Sequence, residues 1–387
     1  MAPKPLADLL RMSKQAARLE AGLSRTKMTV SRWFDRDIDE NEGCRHVCAS
    51  KRRHFSEVSL HLKKEQIYKA EYLPLYSCLV ICKPVCVAPT GDVCGEGVVW
   101  HASHAAVYWT DINRFLVHRF KPSDQGVRTW LFDEPVTALS LTDRDDTLAV
   151  ILGSQVVLWE PVSDRRSEPL YRLDRWPQVR LNDARADRRG CLWIGSMRNN
   201  VNEDGSAGAA GGRDGVLCRL DPNGSVTEWC RDIGIANTVA WSPDARRFYF
   251  GDSLENVVWV YDSNPSTGAI KNRRPFLQRF ARGVPDGSCV DGEGYLWNCR
   301  FFGGCIVRVS PDGRIDRVVE MPVQNITTCT FGGADRKTVY VTTAKIEAPT
   351  SDRLAGGLFA IRTDVEGQSE NRFAIFGTCP SVSGLDG

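Results

Sequence analysis

Six residues head six similar stretches of the chain: Glu96, Thr137, Asn182, Asn237, Asp286 and Thr328. They are separated by 41, 45, 55, 49 and 42 residues. Glu96, Asn182, Asn237 and Asp286 can each offer a carboxylate or amide oxygen. Such oxygens suit hard divalent cations such as Ca²⁺, Mg²⁺ or Mn²⁺. A cation with few protein ligands keeps positions open for water and substrate, polarises a carbonyl, and lowers the pKa of bound water. Asp286 beside such a cation stays ionised and can act as a base towards water. Histidine chemistry has little room here. The six His are His46, His54, His61, His101, His104 and His118, so any Ser-His-Asp or Cys-His site must draw on the first third of the chain. The tetrapeptide Gly251–Leu254 (GDSL) spells the nucleophile segment of one lipase class, but no His follows it. His101 and His104 fall in a turn and are expected to face solvent.

The elements that must carry these residues are short and extended. From residue 92 onward, runs of Val, Ile, Leu, Trp, Tyr and Phe alternate with Gly, Asp, Pro and Asn turns, and no long helical period appears. The units read Gly95–Phe120, Val136–Glu160, Leu181–Met197 continued by Gly215–Trp229, Ala236–Asp262, Pro285–Pro322 and Ile326–Arg362. Their spacing is that of a four-stranded propeller blade. Six of them predict an all-β fold, a six-bladed β-propeller. The short run Pro84–Ala88 is placed to complete the last blade and close the ring. The Gly-rich stretch Asn199–Arg213 is expected as a loop on one face. A propeller sets the first strand of each blade around a central channel, so the six heading residues converge at one mouth.

Residues 1–85 differ in character and are read as a basic N-terminal extension, disordered or targeting, before a propeller domain at 86–387. Residues 1–90 carry a net charge of +6 and the remainder −4, within a total of +2. Met1–Leu23 reads as a basic amphipathic helix or presequence. Gln15–Trp33 has a faint helix-turn-helix pattern. Cys44, His46, Cys48 and His54 lie close together in a spacing that fits no standard zinc motif. The near-neutral balance gives no reason to expect a nucleic-acid partner. No apolar run reaches the roughly 18 residues of a membrane span, and Lys83 and Pro84 interrupt the apolar run from Tyr72 to Val87. The 14 Cys are irregularly spaced and several sit inside strand-like runs. They read as buried free thiols of a reducing, cytoplasmic compartment. The sequons at Asn223 and Asn325 matter only in a secreted chain. The sequence carries no heptads or patch pattern that sets an oligomeric state.

From about residue 92 the chain resembles the regucalcin and gluconolactonase family of sugar lactonases. The motifs that carry the resemblance are Gly95-Glu96-Gly97 with Val99-Trp100, Arg180-Leu181-Asn182-Asp183, Ile235-Ala236-Asn237 with Trp241, and Pro285-Asp286-Gly287. The segments Trp297–Arg308 and Thr327–Gly333 also fit. The resemblance implies a six-bladed propeller that hydrolyses an aldonolactone to its aldonic acid. It implies one divalent metal (Ca²⁺, Zn²⁺, Mn²⁺ or Mg²⁺) on Glu96, Asn237 and Asp286, with Asp286 also the catalytic acid/base. Arg180 and Asn182 would hold the sugar lactone. Asn200 stands where some members place an acid, which leaves substrate identity open.

Three other readings share this scaffold. A non-catalytic binding propeller has no need of the oxygen cluster. A calcium-handling protein binds metal without turnover. A hydrolase of other esters, such as organophosphates or aryl esters, separates from a sugar lactonase on a substrate panel.

Overall fold

A computed structural model describes residues 83–375, and all of its regular structure is β. The expectations for the helical, helix-turn-helix and Cys/His features of the first 82 residues lie outside the described residues. The chain enters through β1 (Val85–Ala88). Blade 1 then follows as β2 (Gly95–His101), β3 (Ala106–Asp111), β4 (Leu116–Lys121) and β5 (Gly126–Leu131). Blade 2 holds β6 (Val136–Leu141), β7 (Leu148–Leu152), β8 (Gln155–Glu160) and two short pieces, β9 (Arg165–Arg166) and β10 (Tyr171–Arg172). Blade 3 holds β11 (Val179–Ala186), β12 (Leu192–Arg198), β13 (Gly215–Leu220) and β14 (Val226–Ile233). Blade 4 holds β15 (Ala236–Trp241), β16 (Arg247–Asp252), β17 (Val257–Ser263) and β18 (Ile270–Gln278). Blade 5 holds β19 (Val284–Val290), β20 (Leu296–Phe301), β21 (Cys305–Val309) and β22 (Ile315–Glu320). Blade 6 holds β23 (Ile326–Gly332), β24 (Thr338–Thr343) and β25 (Leu358–Arg362). Each blade is an antiparallel meander.

The expected closure is present. β1 pairs with β25, Val85 opposite Ala360 and Cys86 opposite Phe359, so the start of the described chain completes its last sheet. The inner strands β2, β6, β11, β15, β19 and β23 each contact the next around a ring. They are almost wholly buried, whereas outer strands such as β5 and β14 are mostly exposed. The apolar core is divided into six layers, one between each pair of neighbouring blades. Trp130 and Trp159 fill the layer between blades 1 and 2, and Trp193 with Phe248 that between blades 3 and 4. Trp297 and Phe331 fill the layer between blades 5 and 6. Sheets stacked face to face in this way bury both faces of each meander.

Two segments reach across the ring. The 199–213 loop leaves blade 3 and is tied to blade 1, where Asn113 Nδ2 donates to the Gly205 carbonyl at 2.8 Å. At the opposite mouth, a strap from about residue 366 to 374 crosses the ends of the inner strands. It bonds to Val290, Trp241, Ala186 and Leu141 in turn. Glu370 of the strap accepts from Thr330 and pairs with Arg185.

One expectation fails. His101 does not face solvent, being 1% exposed. Its ring stacks on His104 at 3.7 Å between centroids, and burial pushes its pKa down to about 4.

Among the described residues nine cysteines are free, six of them buried. No helix there is long and apolar enough to cross a membrane.

Candidate active site

In every blade the ladder between the first and second strands slips register near its start. The slips fall between Glu96 and Val99, Val136 and Ala138, and Leu181 and Ala184. In the other blades they fall between Asn237 and Ala240, Pro285 and Ser288, and Ile326 and Cys329. A bulge re-aims the side chains beside it. The six heading residues sit at or inside these bulges. Two glycines make them possible. Gly97 has a φ of +56°, and a Cβ there would lie 2.8 Å from Ala138 Cα. A Cβ on Gly287 would lie 2.1 Å from Thr328 Oγ1.

The bulged strands bring Glu96, Arg180, Asn182, Asn237 and Asp286, and the start of the 199–213 loop brings Asn200, around one cavity of about 130 Å³. Thr137 and Thr328 do not line it. Thr137 instead ties blade 2 to blade 3, donating to the Asn182 carbonyl at 3.0 Å. A larger groove of about 880 Å³ runs along blade 4 between Arg247, Lys271 and Arg274, but it is open to solvent and mixed in charge.

Neutral amides position the cationic group. Arg180 is 5% exposed. Its Nη1 donates to Asn182 Oδ1 at 2.5 Å, and its Nε and Nη2 donate to Asn200 Oδ1 at 3.1 and 2.9 Å. The Asn200 oxygen is thereby committed to Arg180, which leaves its Nδ2 donors for a ligand. Asn182 Nδ2 donates to the Ala236 carbonyl at 2.8 Å and to Asn237 Oδ1 at 3.2 Å. Asn237 Nδ2 donates to Ser253 Oγ at 2.9 Å, and Ser253 in turn donates to the Pro285 carbonyl at 2.6 Å. The serine of the GDSL tetrapeptide is therefore a buried bracket that orients Asn237. Its hydroxyl is spent, which removes the nucleophile reading.

The acids are electrostatically loaded. Glu96 is 9% exposed and Asp286 7%. Burial, then the neighbouring charges of Asp286 and Asp183, hold the Glu96 carboxyl well above the usual range. Burial, then Asp183, does the same to Asp286. Asp183 is itself raised by burial. Among the described residues neither Glu96 nor Asp286 forms an ion pair. Burial pushes Arg180 down to about 10 and Arg300 to about 9; the field of Arg180 still draws both acids downward, and that of Arg300 draws Asp286.

Two buried carboxylates and an amide oxygen, without a contacting cation, form a donor set of the kind a hard divalent ion takes. No group of three or more His, Cys, Asp or Glu side chains fit for a metal occurs among the described residues. The third oxygen of this set comes from an amide, so it falls outside that pattern. Asp183 and Arg300 carry no role in the sequence reading, and Ser253 enters it only as the serine of GDSL. Asp183 was within reach, since it closes the Arg180–Asp183 motif.

Comparison with known proteins decides the family. Residues 94–345 match the model of the SMP-30/Gluconolactonase/LRE-like region. The chain belongs to this family. A pentonolactonase of Haloferax volcanii is 32% identical over 296 residues, covering 74% of this chain and 96% of that protein. A regucalcin of Oryctolagus cuniculus is 31% identical, covering 71% and 93%. Among solved structures, a luciferin-regenerating enzyme superposes with a TM-score of 0.67 at 27% identity, covering 76% of this chain and 99% of that one. All six cavity residues named above fall inside the SMP-30/gluconolactonase match, whereas β1 and the strap fall outside it.

Proposed function

We propose that the cavity hydrolyses a sugar lactone, an aldonolactone, to its aldonic acid. The observation that carries this reading is the convergence of Glu96, Asn237 and Asp286 beside Arg180 on one small buried floor. The lactonase relative supports it. Glu96, Asn237 and Asp286 are the residues that would hold a divalent cation, of which Ca²⁺, Zn²⁺, Mn²⁺ and Mg²⁺ are the candidates. When bound, that cation supplies polarisation of the lactone carbonyl and a lowered pKa for water.

The chain's own groups do the rest. Arg180, fixed by two amide oxygens and the Leu181 carbonyl, has one Nη2–H left to direct at the oxygen that gains charge as the carbonyl is attacked. Asp286 takes the proton of the attacking water as the new C–O bond forms at C1. It returns that proton to the ring oxygen as the C1–O bond breaks. A carboxylate has two oxygens, enough to serve both as ligand and as base. Asn182, through the second lone pair of its Oδ1, accepts from a ring hydroxyl, and the Nδ2 of Asn200 donates to another. The partner is thus a small molecule, and the reaction releases acid.

The test is a pH-indicator assay with a panel of aldonolactones. It uses chelator-stripped full-length protein, with each of the four cations added back, beside Asp286→Asn. Metal-dependent acid release that falls at least about 100-fold in the variant is expected. A folded protein that opens no lactone with any cation sinks the reading. Stoichiometric metal binding without turnover would then mark a calcium-handling propeller.

A further inference from the structure

Thr238 follows Asn237 inside the blade 4 bulge, and its backbone stands at a φ of +56°. Gly97, which follows Glu96 inside the blade 1 bulge, has the same φ. Two residues of the proposed ligand set are thus followed by the same left-handed turn of the backbone, made once by glycine and once by threonine. Glycine adopts this conformation freely, and a β-branched residue does so under strain. Among the described residues Thr238 is the one β-branched side chain at positive φ. Such strain persists where the surrounding structure fixes it, and it gathers at functional sites.

The surroundings of the side chain supply a reason. Thr238 is wholly buried, and its Oγ1 donates to the Asp286 carbonyl on β19 of the next blade. Behind it runs a chain of buried donors. Arg300 Nη1 donates to Asn298 Oδ1 at 3.1 Å, which fixes the orientation of that amide. Asn298 Nδ2 donates to Ser288 Oγ at 2.9 Å and reaches Thr238 Oγ1 at 3.3 Å. The Ser288 hydroxyl, 2.9 Å from Thr238 Oγ1, is left to donate to it. Arg300, Asn298 and Ser288 are at most 1% exposed. Every link therefore points its proton toward the Asp286 carbonyl, and hydrogen bonds aligned in one sense polarise one another.

The preceding carbonyl, that of Pro285, is held by Ser253 Oγ. Blade 4 thus grips two consecutive carbonyls around Asp286. One grip comes from the residue after Asn237, the other from the serine that orients the Asn237 amide. β15 and β19 belong to separate sheets, so side chains rather than a backbone ladder set the spacing between them.

Resting on the ligand set of Glu96, Asn237 and Asp286, we propose that Thr238 is a positioning residue of the cation site. Its left-handed backbone aims Asn237, its hydroxyl holds the Asp286 backbone, and together they set the spacing of these two ligands across blades 4 and 5. Glycine at this place would keep the φ without strain and lose the hydroxyl, which leaves the two ligand strands free to drift. Groups that orient metal ligands from behind are typically worth about 10- to 100-fold in metal affinity.

The experiment titrates chelator-stripped full-length protein with Ca²⁺, Mg²⁺, Mn²⁺ and Zn²⁺ by calorimetry, and records Tm in chelator. Wild type is compared with Thr238→Gly, with Thr238→Val, which keeps the shape and loses the hydroxyl, and with Thr238→Ser, which keeps the hydroxyl. The Gly and Val variants should bind the best cation at least about tenfold more weakly, and the Ser variant within about threefold of wild type. The lactone panel is run on the same wild-type sample, so a lost activity and an idle Thr238 are told apart. A smaller loss in either folded variant overturns this inference and leaves the lactonase reading standing, as does a Ser variant outside its range. If neither the Gly nor the Val variant folds in chelator, the inference is also overturned, because the threonine then holds the fold rather than the ligand spacing. A wild-type chain that binds none of the four cations overturns both the ligand set and this inference.

Discussion

Glu96 and Asp286 lie in a buried pocket where charging either one opposes charging the other. Their native carboxyls titrate above the ordinary range, so each gives stability that is complete below its unfolded pKa. That stability disappears as pH rises through the native value. At pH 8 without metal the wild-type fold is therefore strained by its own site. Replacing either acid by its amide, Glu96→Gln or Asp286→Asn, should raise Tm in chelator at pH 8 by a few degrees. The gain should shrink at pH 4, where the wild-type acids are protonated. Added divalent cation should reverse the order, since a ligand of the native state stabilises by mass action, about 2.7 kcal/mol at 100 times Kd. Calorimetry across pH with and without chelator checks this. Amide variants less stable than wild type at pH 8 without metal would refute it. The same residues show how a sequence hides a role. GDSL names a nucleophile, yet Ser253 gives its proton to a backbone carbonyl and its lone pair to Asn237.

The bulged inner strand sets what the site residues can reach. Gly97→Ala places a methyl 2.8 Å from a backbone Cα at positive φ, and neither backbone can yield cheaply. Unfolding free energy should fall by about 2–3 kcal/mol, with activity lost as Glu96 is displaced. Urea unfolding measures the first, and an unchanged midpoint would refute the steric argument. These strands were the legible part of the chain. Alternating apolar runs and Gly, Asp and Asn turns repeat six times, and the heading oxygens recur with them, so fold and floor could be read together. Elements without a repeat could not. The strap carries Glu366, Gln368, Glu370 and Asn371, with no apolar period to announce that it crosses the channel. Ile112, Val201, Phe302 and Ile346, apolar residues that line the cavity, come from loops of four different blades, far apart in sequence. His101 looked like a turn residue, and only the fold shows its ring covered by His104 and buried.

At the scale of the molecule, stability is shared among six equivalent apolar layers, and the ring needs no polar cap because every blade has two neighbours. The layer between blades 6 and 1 is the exception in origin, since one of its strands comes from the other end of the described chain. Ala88 of β1 is 1% exposed there, packed in the layer that holds Trp100 and Leu358. Ala88→Asp should cost about 3 kcal/mol through an unpaired buried charge and speed unfolding, as read by urea chevrons. An unaltered unfolding limb would show that the closure carries no load. The pairing of Val85 with Ala360 also sets an order of events during translation. Blades 2 to 5 can stack as they leave the ribosome, but β1 must wait, unpaired, until β25 has been made. At the roughly 5–20 residues per second of synthesis, that wait is on the order of tens of seconds. Through it, the nascent chain presents an open sheet edge to chaperones.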